Sequence, residues 1–281
     1  MLQWVPDARK PTPLAAQWKV HMGKRMTLII GAICSDGLYF CSDTEEGTTM
    51  GGKRTVHKLA DTSDYPAWHL VLGASGFGPL CEIAMKQITE AARRERHDFL
   101  AKHETIIGQE MKKIYDQYIS DLLSEYKRQE RQIELVLAVV DLQMKTSQTT
   151  RLYRTDEEIL YPVTEPFACT GAGQDVANYF LDRLFKDWRP PNYTGALPTT
   201  TEGEQLLQFV MREAKATVGG VGGNTETFVL HFGSGMTTHG TFGTGWEARQ
   251  PKLEDIVNHF WRRQLPPPSK PSTARKSKPT K

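Results

Sequence analysis

The stretch that decides the fold is Thr27-Leu28-Ile29-Ile30-Gly31-Ala32-Ile33-Cys34, which is followed by Ser35-Asp36-Gly37 and then by Leu38-Tyr39-Phe40-Cys41-Ser42. Two apolar runs flank a short polar segment. Asp-Gly between such runs is the strongest short-range signal of a β-hairpin. The pattern predicts that a two-stranded hairpin opens the domain, with Thr27 at its start and Asp43 just past its second strand.

The rest of the chain alternates between strand-like and helix-like patterns. Apolar or alternating runs predict strands, and the spacing of apolar residues predicts helices. The predicted strands are 67–73, 133–142, 149–154, 225–232 and 236–242, and the predicted helices are 79–107, 108–131, 173–186 and 202–215. Strands, two helices, strands, two helices and strands form an order that fits helix layers covering two packed sheets.

The composition is typical of a soluble globular protein. The 281 residues are 39% hydrophobic and 24% charged, and the net charge of +2 is too small to indicate a nucleic-acid partner. No apolar run approaches the roughly 20 residues of a membrane span, and the N-terminus lacks an apolar core of signal-peptide length. We therefore expect a cytoplasmic protein without a membrane partner.

No residue pattern predicts a cofactor or a metal. The four cysteines are scattered within apolar runs, which favours reduced, buried thiols, and the eight histidines show no metal-ligand spacing. The glycine-rich run at 219–223 lacks the lysine and the serine or threonine of a phosphate-binding loop. We expect no cofactor.

An ordered series of motifs resembles one known family. Thr27 with Gly31, Gly37 and Asp43 resembles the opening of a proteasome β-subunit, a member of the N-terminal nucleophile hydrolases. Four later segments resemble its lysine-bearing segment (one residue closer than usual), its oxyanion turn, its glycine-serine-glycine turn and its last turn: Thr55-Val56-His57-Lys58-Leu59, Gly73-Ala74-Ser75-Gly76-Phe77-Gly78, Cys169-Thr170-Gly171-Ala172-Gly173-Gln174 and Val218-Gly219-Gly220. The similarity covers about residues 27–235 and implies an α+β fold, a four-layer αββα sandwich of two mainly antiparallel sheets.

The resemblance implies four catalytic residues. Thr27 is the nucleophile, and its free α-amine, with a pKa of about 8, is the base that a threonine hydroxyl needs. Protonated Lys58 keeps that amine neutral, Asp43 holds Lys58 in place, and the N–H of Gly76 meets the developing oxyanion.

By the same resemblance, the pocket for the residue before the scissile bond has a small-to-medium wall with acidic elements. It would prefer basic or small side chains. The residues implied are Glu46, Val56, Ala74 and Gly78, together with Ala60 and Glu82.

Strand geometry places Asp43 unfavourably for Thr27. If Asp36-Gly37 is a two-residue loop, Asp43 pairs with Ile30, about 10 Å along the strand from Thr27 and on the wrong face. A direct contact between Asp43 and Thr27 is then not expected. A longer loop or a bulge would restore the face.

Two departures from the family concern groups that support the site. Ala172 stands where active β-subunits usually have a serine, and residues 213–218 contain no Asp-x-x-Ser. Either Thr170 or Thr217 substitutes for these groups, or the subunit has lost activity.

The motifs divide the chain into four parts. Residues 1–26 are an N-terminal extension or propeptide, which the Thr27 hydroxyl could cut itself. Alternatively, translation starts at Met26, or residues 14–20 persist as a helix over the site. Residues 27–245 form the catalytic domain, 246–265 a C-terminal arm or a surface helix, and 266–281 a disordered basic tail.

The sequence thus predicts a threonine peptidase that acts on peptide or protein substrates and assembles into a homo-oligomeric ring. Two alternatives stay open. One is an inactive structural or regulatory subunit on the same fold, and the other is an amidase that acts on small molecules.

Overall fold

In the computed structural model, residues 27–47, 53–62, 65–121, 131–144, 146–186 and 197–243 are described. The predicted N-terminal extension, C-terminal arm and basic tail lie outside the described residues.

The described residues form strands and helices in the predicted order. The strands are β1 Leu28–Ile33, β2 Gly37–Asp43, β3 Glu45–Gly47, β4 Lys53–Thr55, β5 Leu59–Asp61, β6 Trp68–Gly76, β7 Ile133–Asp141, β8 Arg151–Asp156, β9 Ile159–Val163, β10 Phe167–Gly171, β11 Thr225–His231 and β12 Thr237–Phe242. The α-helices are α1 Gly78–Arg94, α2 Phe99–Tyr118, α3 Gln174–Lys186 and α4 Thr200–Thr217, and a 3₁₀ turn covers Ser147–Thr149.

Two five-stranded sheets form the centre of the molecule. The first has the strand order β10-β1-β2-β11-β12 and the second has the order β5-β6-β7-β8-β9, while β3 and β4 form a separate hairpin. Neighbouring strands in both sheets pair antiparallel.

Alternation of side chains along the strands creates three apolar layers. Ile29 and Phe40 of the first sheet pack with Val71 and Val136 of the second sheet, so the two sheets bury these faces against each other. Leu28, which precedes Ile29 in β1, faces α3 and α4, because successive side chains of a strand point to opposite faces. The other face of the second sheet packs on α1 and α2. The predicted four-layer αββα sandwich is therefore confirmed.

The break between the first two helices does not lie at Gly108, as the sequence predicted. Gly108 is inside α2, and the break covers residues 95–98. Trp68 explains its position, because its Nε1 donates to Arg96 O at 2.9 Å and its ring lies 4.2 Å from that of Phe99. Burial of Phe99 against Trp68 starts the second helix there.

The sequence prediction missed five strands: β3, β4, β5, β9 and β10. Three of them are only three residues long, which is too short for a periodic pattern to appear. The edge strand β9 contains Pro162 and is largely exposed, and β10 was interpreted only as a turn.

The first hairpin loop is longer than two residues. Ile33 pairs with Leu38 and Ile30 pairs with Cys41, so the predicted pairing of Ile30 with Asp43 is wrong. The loop is held open by the start of α4, where Asp36 Oδ1 accepts from the N–H of Thr200 at 2.6 Å. Capping of a helix N-terminus thus replaces the tight turn.

A membrane-spanning helix is not found in the part of the chain that the structure describes, since each of its helices is too short or too polar.

Candidate active site

Three of the predicted catalytic residues meet at one end of the two sheets. Thr27 immediately precedes β1, Asp43 ends β2, and Lys58 immediately precedes β5 of the second sheet. Their exposed fractions are 3%, 0% and 7% respectively. A hydroxyl, a carboxylate and an ammonium are therefore buried together where the first sheet meets the second.

Asp43 accepts hydrogen bonds from four donors. Its Oδ1 accepts from Thr27 Oγ1 at 2.7 Å, from the N–H of Leu28 at 2.8 Å and from Lys58 Nζ at 3.0 Å. Its Oδ2 accepts from the N–H of Gly222 at 3.1 Å. The expectation that Asp43 does not contact Thr27 is therefore wrong, because the longer hairpin loop carries Asp43 to a position beside Leu28.

Lys58 is surrounded by acceptors. Its ammonium donates to Asp43 Oδ1, to the carbonyl oxygen of Glu45 at 2.5 Å and to Thr27 Oγ1. Three acceptors match the three donors of an ammonium group. Burial lowers the pKa of Lys58 from its ordinary value, although the nearby Asp43 carboxylate opposes this effect.

A glycine turn holds Thr27 from the other side. The N–H of Gly173 donates to Thr27 O at 3.4 Å. Gly171 has a φ of +102°, and a Cβ there would lie 2.2 Å from Thr27 O. Only glycine permits both this backbone conformation and this approach.

Ala172 of the same turn packs against the apolar layer below α3 and α4. At this position, where the family usually has a serine, the chain therefore places an apolar side chain in contact with the core.

Thr27 and Lys58 line an open cleft. The four residues predicted to bind the substrate, Glu46, Val56, Ala74 and Gly78, all line it, and so does Glu82. Ala60, which the sequence also suggested, is not among the lining residues. His57, Ser75, Gly76, Cys81 and Met85 complete the wall.

The acidic wall of the cleft carries its own cation. Arg54 of β4 pairs with Glu46 through its Nε at 2.6 Å. Its Nη2 lies 3.7 Å from Glu82 Oε1 on α1. Arg54 thus bridges the two acidic residues from which the preference for basic side chains was predicted.

Gly76 directs its N–H toward the cleft side of the sheet. It pairs with Ile133, and the next residue, Phe77, donates its N–H to Gln132 O at 3.1 Å. Bonded and non-bonded pairs alternate in an antiparallel ladder, so the N–H of Gly76 faces away from β7. Ala74 faces the same way and donates its N–H to Lys58 O at 3.2 Å.

A buried polar chain lies behind the cleft wall. Ser75 Oγ and Thr170 Oγ1 are 2.9 Å apart, and Thr170 Oγ1 in turn donates to Glu134 Oε2. Glu134 lies 3.8 Å from Arg154. Of the two suggested substitutes for the missing supports, Thr170 reaches the cleft wall through Ser75, whereas Thr217 does not, because its hydroxyl bonds Glu213 O in its own helix.

Two contributors to the site were not predicted from the sequence. Glu45 acts through its backbone carbonyl, which no residue pattern can indicate. Gly222 lies just after the predicted last turn at 218–220, in a glycine-rich run for which a phosphate-binding role was rejected and no contact with Asp43 was predicted.

Within the described ranges, no group of three or more histidine, cysteine, aspartate or glutamate residues is arranged to hold a metal ion.

Comparisons with known proteins give a structural likeness alone. No family model matches the sequence, and no curated protein matches it. The solved helical assembly of the Anbu complex from Pseudomonas aeruginosa superposes with a TM-score of 0.63 at 15% identity, over 86% of this chain and 98% of that one.

Two further Anbu structures give the same result. Anbu from Yersinia bercovieri, described as an ancestral beta-subunit, has a TM-score of 0.60 at 14% identity, over 85% of this chain and 98% of that one. A Gly-1 mutant of Anbu from Hyphomicrobium sp. strain MC1 has a TM-score of 0.59 at 13% identity, over 85% of this chain and 94% of that one. The chain therefore has the proteasome-like fold of the Anbu proteins.

Proposed function

We propose that this protein is a proteasome-like threonine peptidase in which Thr27 becomes the nucleophile once the residues before it are removed. The observation that carries the proposal is the position of Thr27 Oγ1, which donates to Asp43 and accepts from Lys58 at the wall of an open cleft. A hydroxyl that merely opens a strand does not require two buried, oppositely charged partners.

The proposed reaction uses the hydroxyl of Thr27, its two charged partners and the α-amine that processing would free. Thr27 Oγ1 attacks the carbonyl carbon of a peptide bond, and the hydroxyl proton passes to the α-amine of Thr27. The Lys58 ammonium favours negative charge on Oγ1 and keeps the neighbouring amine neutral. The Asp43 carboxylate compensates for the burial of that ammonium.

The oxyanion that forms on the substrate lies within reach of the cleft-facing N–H of Gly76. Loss of one such donor costs about 3 kcal/mol of transition-state stabilisation in other enzymes. As the carbon–nitrogen bond breaks, the leaving amine takes the proton from the Thr27 ammonium. Water then hydrolyses the Thr27 ester by the same route, which restores the free hydroxyl.

The experiment is an intact-mass measurement followed by labelling with a peptide epoxyketone, which requires both a free threonine hydroxyl and a free amine. We expect a chain that begins at Thr27 and one adduct on that residue. Thr27→Ser should still be labelled, and Thr27→Ala should not. A mature chain that retains Met26, or a processed chain that forms no adduct, would contradict the proposal.

A second candidate is an inactive subunit of a proteasome-like assembly. It is favoured by Ala172, which packs as an apolar residue in the turn where the family usually has a serine. Absence of labelling in a chain that begins at Thr27 would support this candidate.

We also propose self-association in the cytoplasm. The Pseudomonas aeruginosa Anbu structure is a helical assembly, and the present chain shares its fold. Electron microscopy of the purified protein distinguishes a closed ring, a helical assembly and a monomer, and a monomer at all concentrations would contradict the proposal.

A further inference from the structure

Glu226 is a partly buried carboxylate to which the proposed reaction assigns no role. It lies on β11, pairs in register with Ser42 of β2, and its side chain is 12% exposed. Ser42 is the cross-strand partner of Ile29, so the two side chains point to the same face of the first sheet. Ile29 packs between the two sheets, and Ser42 therefore faces the second sheet as well. Glu226 therefore projects from the first sheet toward the second sheet, at the end where Lys58 lies.

Glu226 makes three contacts there. Its Oε2 accepts from the N–H of Lys58 at 2.9 Å and from Ser42 Oγ at 3.3 Å. Its Oε1 lies 3.0 Å from His57 Nδ1. The His57 side chain is 84% exposed, so its contact with Glu226 contributes little, and the bond to the backbone of Lys58 is the significant contact.

The segment that carries Lys58 needs such an anchor. Residues 56–58 belong to no strand. Their backbone is held at one end by Val56 N–H, which donates to Thr44 O at 2.9 Å, and at the other by Lys58 O, which accepts from Ala74 N–H at 3.2 Å. The backbone N–H of Lys58 itself is bonded by Glu226, a residue of the opposite sheet.

We propose that Glu226 is a positioning residue that fixes the backbone of Lys58, so that the Lys58 ammonium reaches Thr27 and Asp43. The long side chain of lysine is flexible, and its direction depends on where its Cα is held. The bond from Lys58 N–H to Glu226 joins the two sheets at Lys58 itself, whereas Asp43 can only attract the ammonium once it is near. This inference rests on the proposed function for its kinetic consequence.

The first test compares Glu226→Ala and Glu226→Gln with a matched control, Asp61→Ala. Asp61 is also 12% exposed and also contacts a histidine of the other sheet, His239, at 2.7 Å. We expect Glu226→Ala to lower kcat by roughly 10- to 100-fold with KM little changed, since small misplacements of a catalytic group have effects of this size. Glu226→Gln should restore most of kcat, because its amide oxygen still accepts from Lys58 N–H.

Equal losses of kcat in Asp61→Ala and Glu226→Ala would overturn the proposal, because they would indicate general weakening of the contact between the sheets. Wild-type kcat in Glu226→Ala would overturn it as well.

A second measurement is independent of turnover. NMR titration of the ε-methylene of Lys58 reports how buried its ammonium is. We expect the Lys58 pKa in Glu226→Ala to rise toward that of an exposed lysine, and the Lys58 pKa in Glu226→Gln to stay at the wild-type value. If the wild-type protein shows no turnover but the titration shifts as expected, the peptidase proposal fails and the positioning role stands. An unchanged Lys58 titration in Glu226→Ala contradicts the positioning role.

Discussion

Thr27 Oγ1 donates a hydrogen bond to Asp43 Oδ1 across 2.7 Å, although 16 positions separate the two residues in the chain. Oγ1 also accepts from the Lys58 ammonium, so the oxygen is held between two buried charged groups. The oxygen is thereby oriented before any substrate arrives.

Asp43→Asn is expected to lower both stability and activity. The variant leaves the Lys58 ammonium buried without its charged partner, and breaking a buried pair in this way typically costs about 3–5 kcal/mol of unfolding free energy. Urea denaturation measures the stability, and the rate of epoxyketone labelling of Thr27 measures the activity. The double variant Asp43→Asn/Lys58→Met removes the unpaired charge, so it should recover stability without recovering labelling. Restored labelling in the double variant would contradict the role of Lys58.

Stability should rise with pH because of Lys58. Burial lowers the pKa of Lys58 in the folded state below the ordinary value of 10.5. Between these two pKa values the unfolded chain binds more protons than the folded chain, so the unfolding free energy increases as the pH is raised through this window. Below the folded-state pKa both states are protonated, and the effect of Lys58 does not change with pH.

The matched control for this pH effect is Lys58→Met, which cannot titrate. We expect the unfolding free energy of the wild type minus that of Lys58→Met to increase with pH between the folded-state pKa of Lys58 and 10.5. Urea denaturation at several alkaline pH values measures this difference. A difference that stays flat or falls with pH would show that burial does not lower the Lys58 pKa.

Gly171→Ala should displace Thr27. The added Cβ would lie 2.2 Å from Thr27 O, and the φ of +102° is unfavourable for alanine. We expect slower labelling of Thr27 and a lower melting temperature. Gly108→Ala is the control, because a Cβ there meets no atom within 4 Å and alanine favours the helix by up to about 1 kcal/mol. A rate of Thr27 labelling in Gly171→Ala equal to that of the wild type would show that the turn does not position Thr27.

Thr170→Val keeps the shape of the side chain and removes its hydroxyl. Glu134 and Ser75 then each lose a buried partner, which typically costs about 1–3 kcal/mol. We expect lower stability in urea and slower labelling, because Ser75 adjoins Gly76. The control is Thr217→Val, because the Thr217 hydroxyl only bonds Glu213 O of its own helix at the surface. The unfolding free energy of this variant should lie within about 0.5 kcal/mol of the wild-type value. Equal effects of the two substitutions would exclude Thr170 as a support of the site.

Arg54→Ala should increase the preference for basic side chains before the scissile bond. Removal of Arg54 leaves the Glu46 carboxylate without its cation at the wall of the cleft. We expect the ratio of kcat/KM for arginine-ended over leucine-ended peptides to rise about two- to five-fold, a small factor because exposed ion pairs are weak. Arg183→Ala, which only loses a contact with the Tyr179 ring, should not change the ratio. A clear leucine preference in the wild type would contradict the predicted specificity.

Much of the fold was predictable because buried faces of strands and helices require apolar residues at regular spacings in the sequence. The long, strongly apolar strands β1, β2 and β7 and the helices α3 and α4 were predicted within a few residues of their ends. Short strands such as β5 carry too few residues to show a period, and their position is set by pairing with β6.

The candidate site was predictable only in part, for a related reason. Thr27, Asp43 and Lys58 were identified through their spacing and their resemblance to one family, and the structure brings them together. The contact between Thr27 and Asp43 was excluded by an assumed tight turn, since nothing in the hairpin sequence shows that Asp36 caps a helix more than 160 residues later. Backbone donors such as Gly222 leave no side-chain signal.

The bond between Gly222 N–H and Asp43 joins positions 179 apart, and the bond between Glu226 and Lys58 joins positions 168 apart. Contacts of such wide separation form late as a chain emerges from the ribosome. A nascent chain that ends before Gly222 would hold Thr27 without the final supports of its carboxylate and its cation. If the proposed function holds, the site would then remain incomplete during synthesis, and peptide hydrolysis could begin only after the last strands have paired.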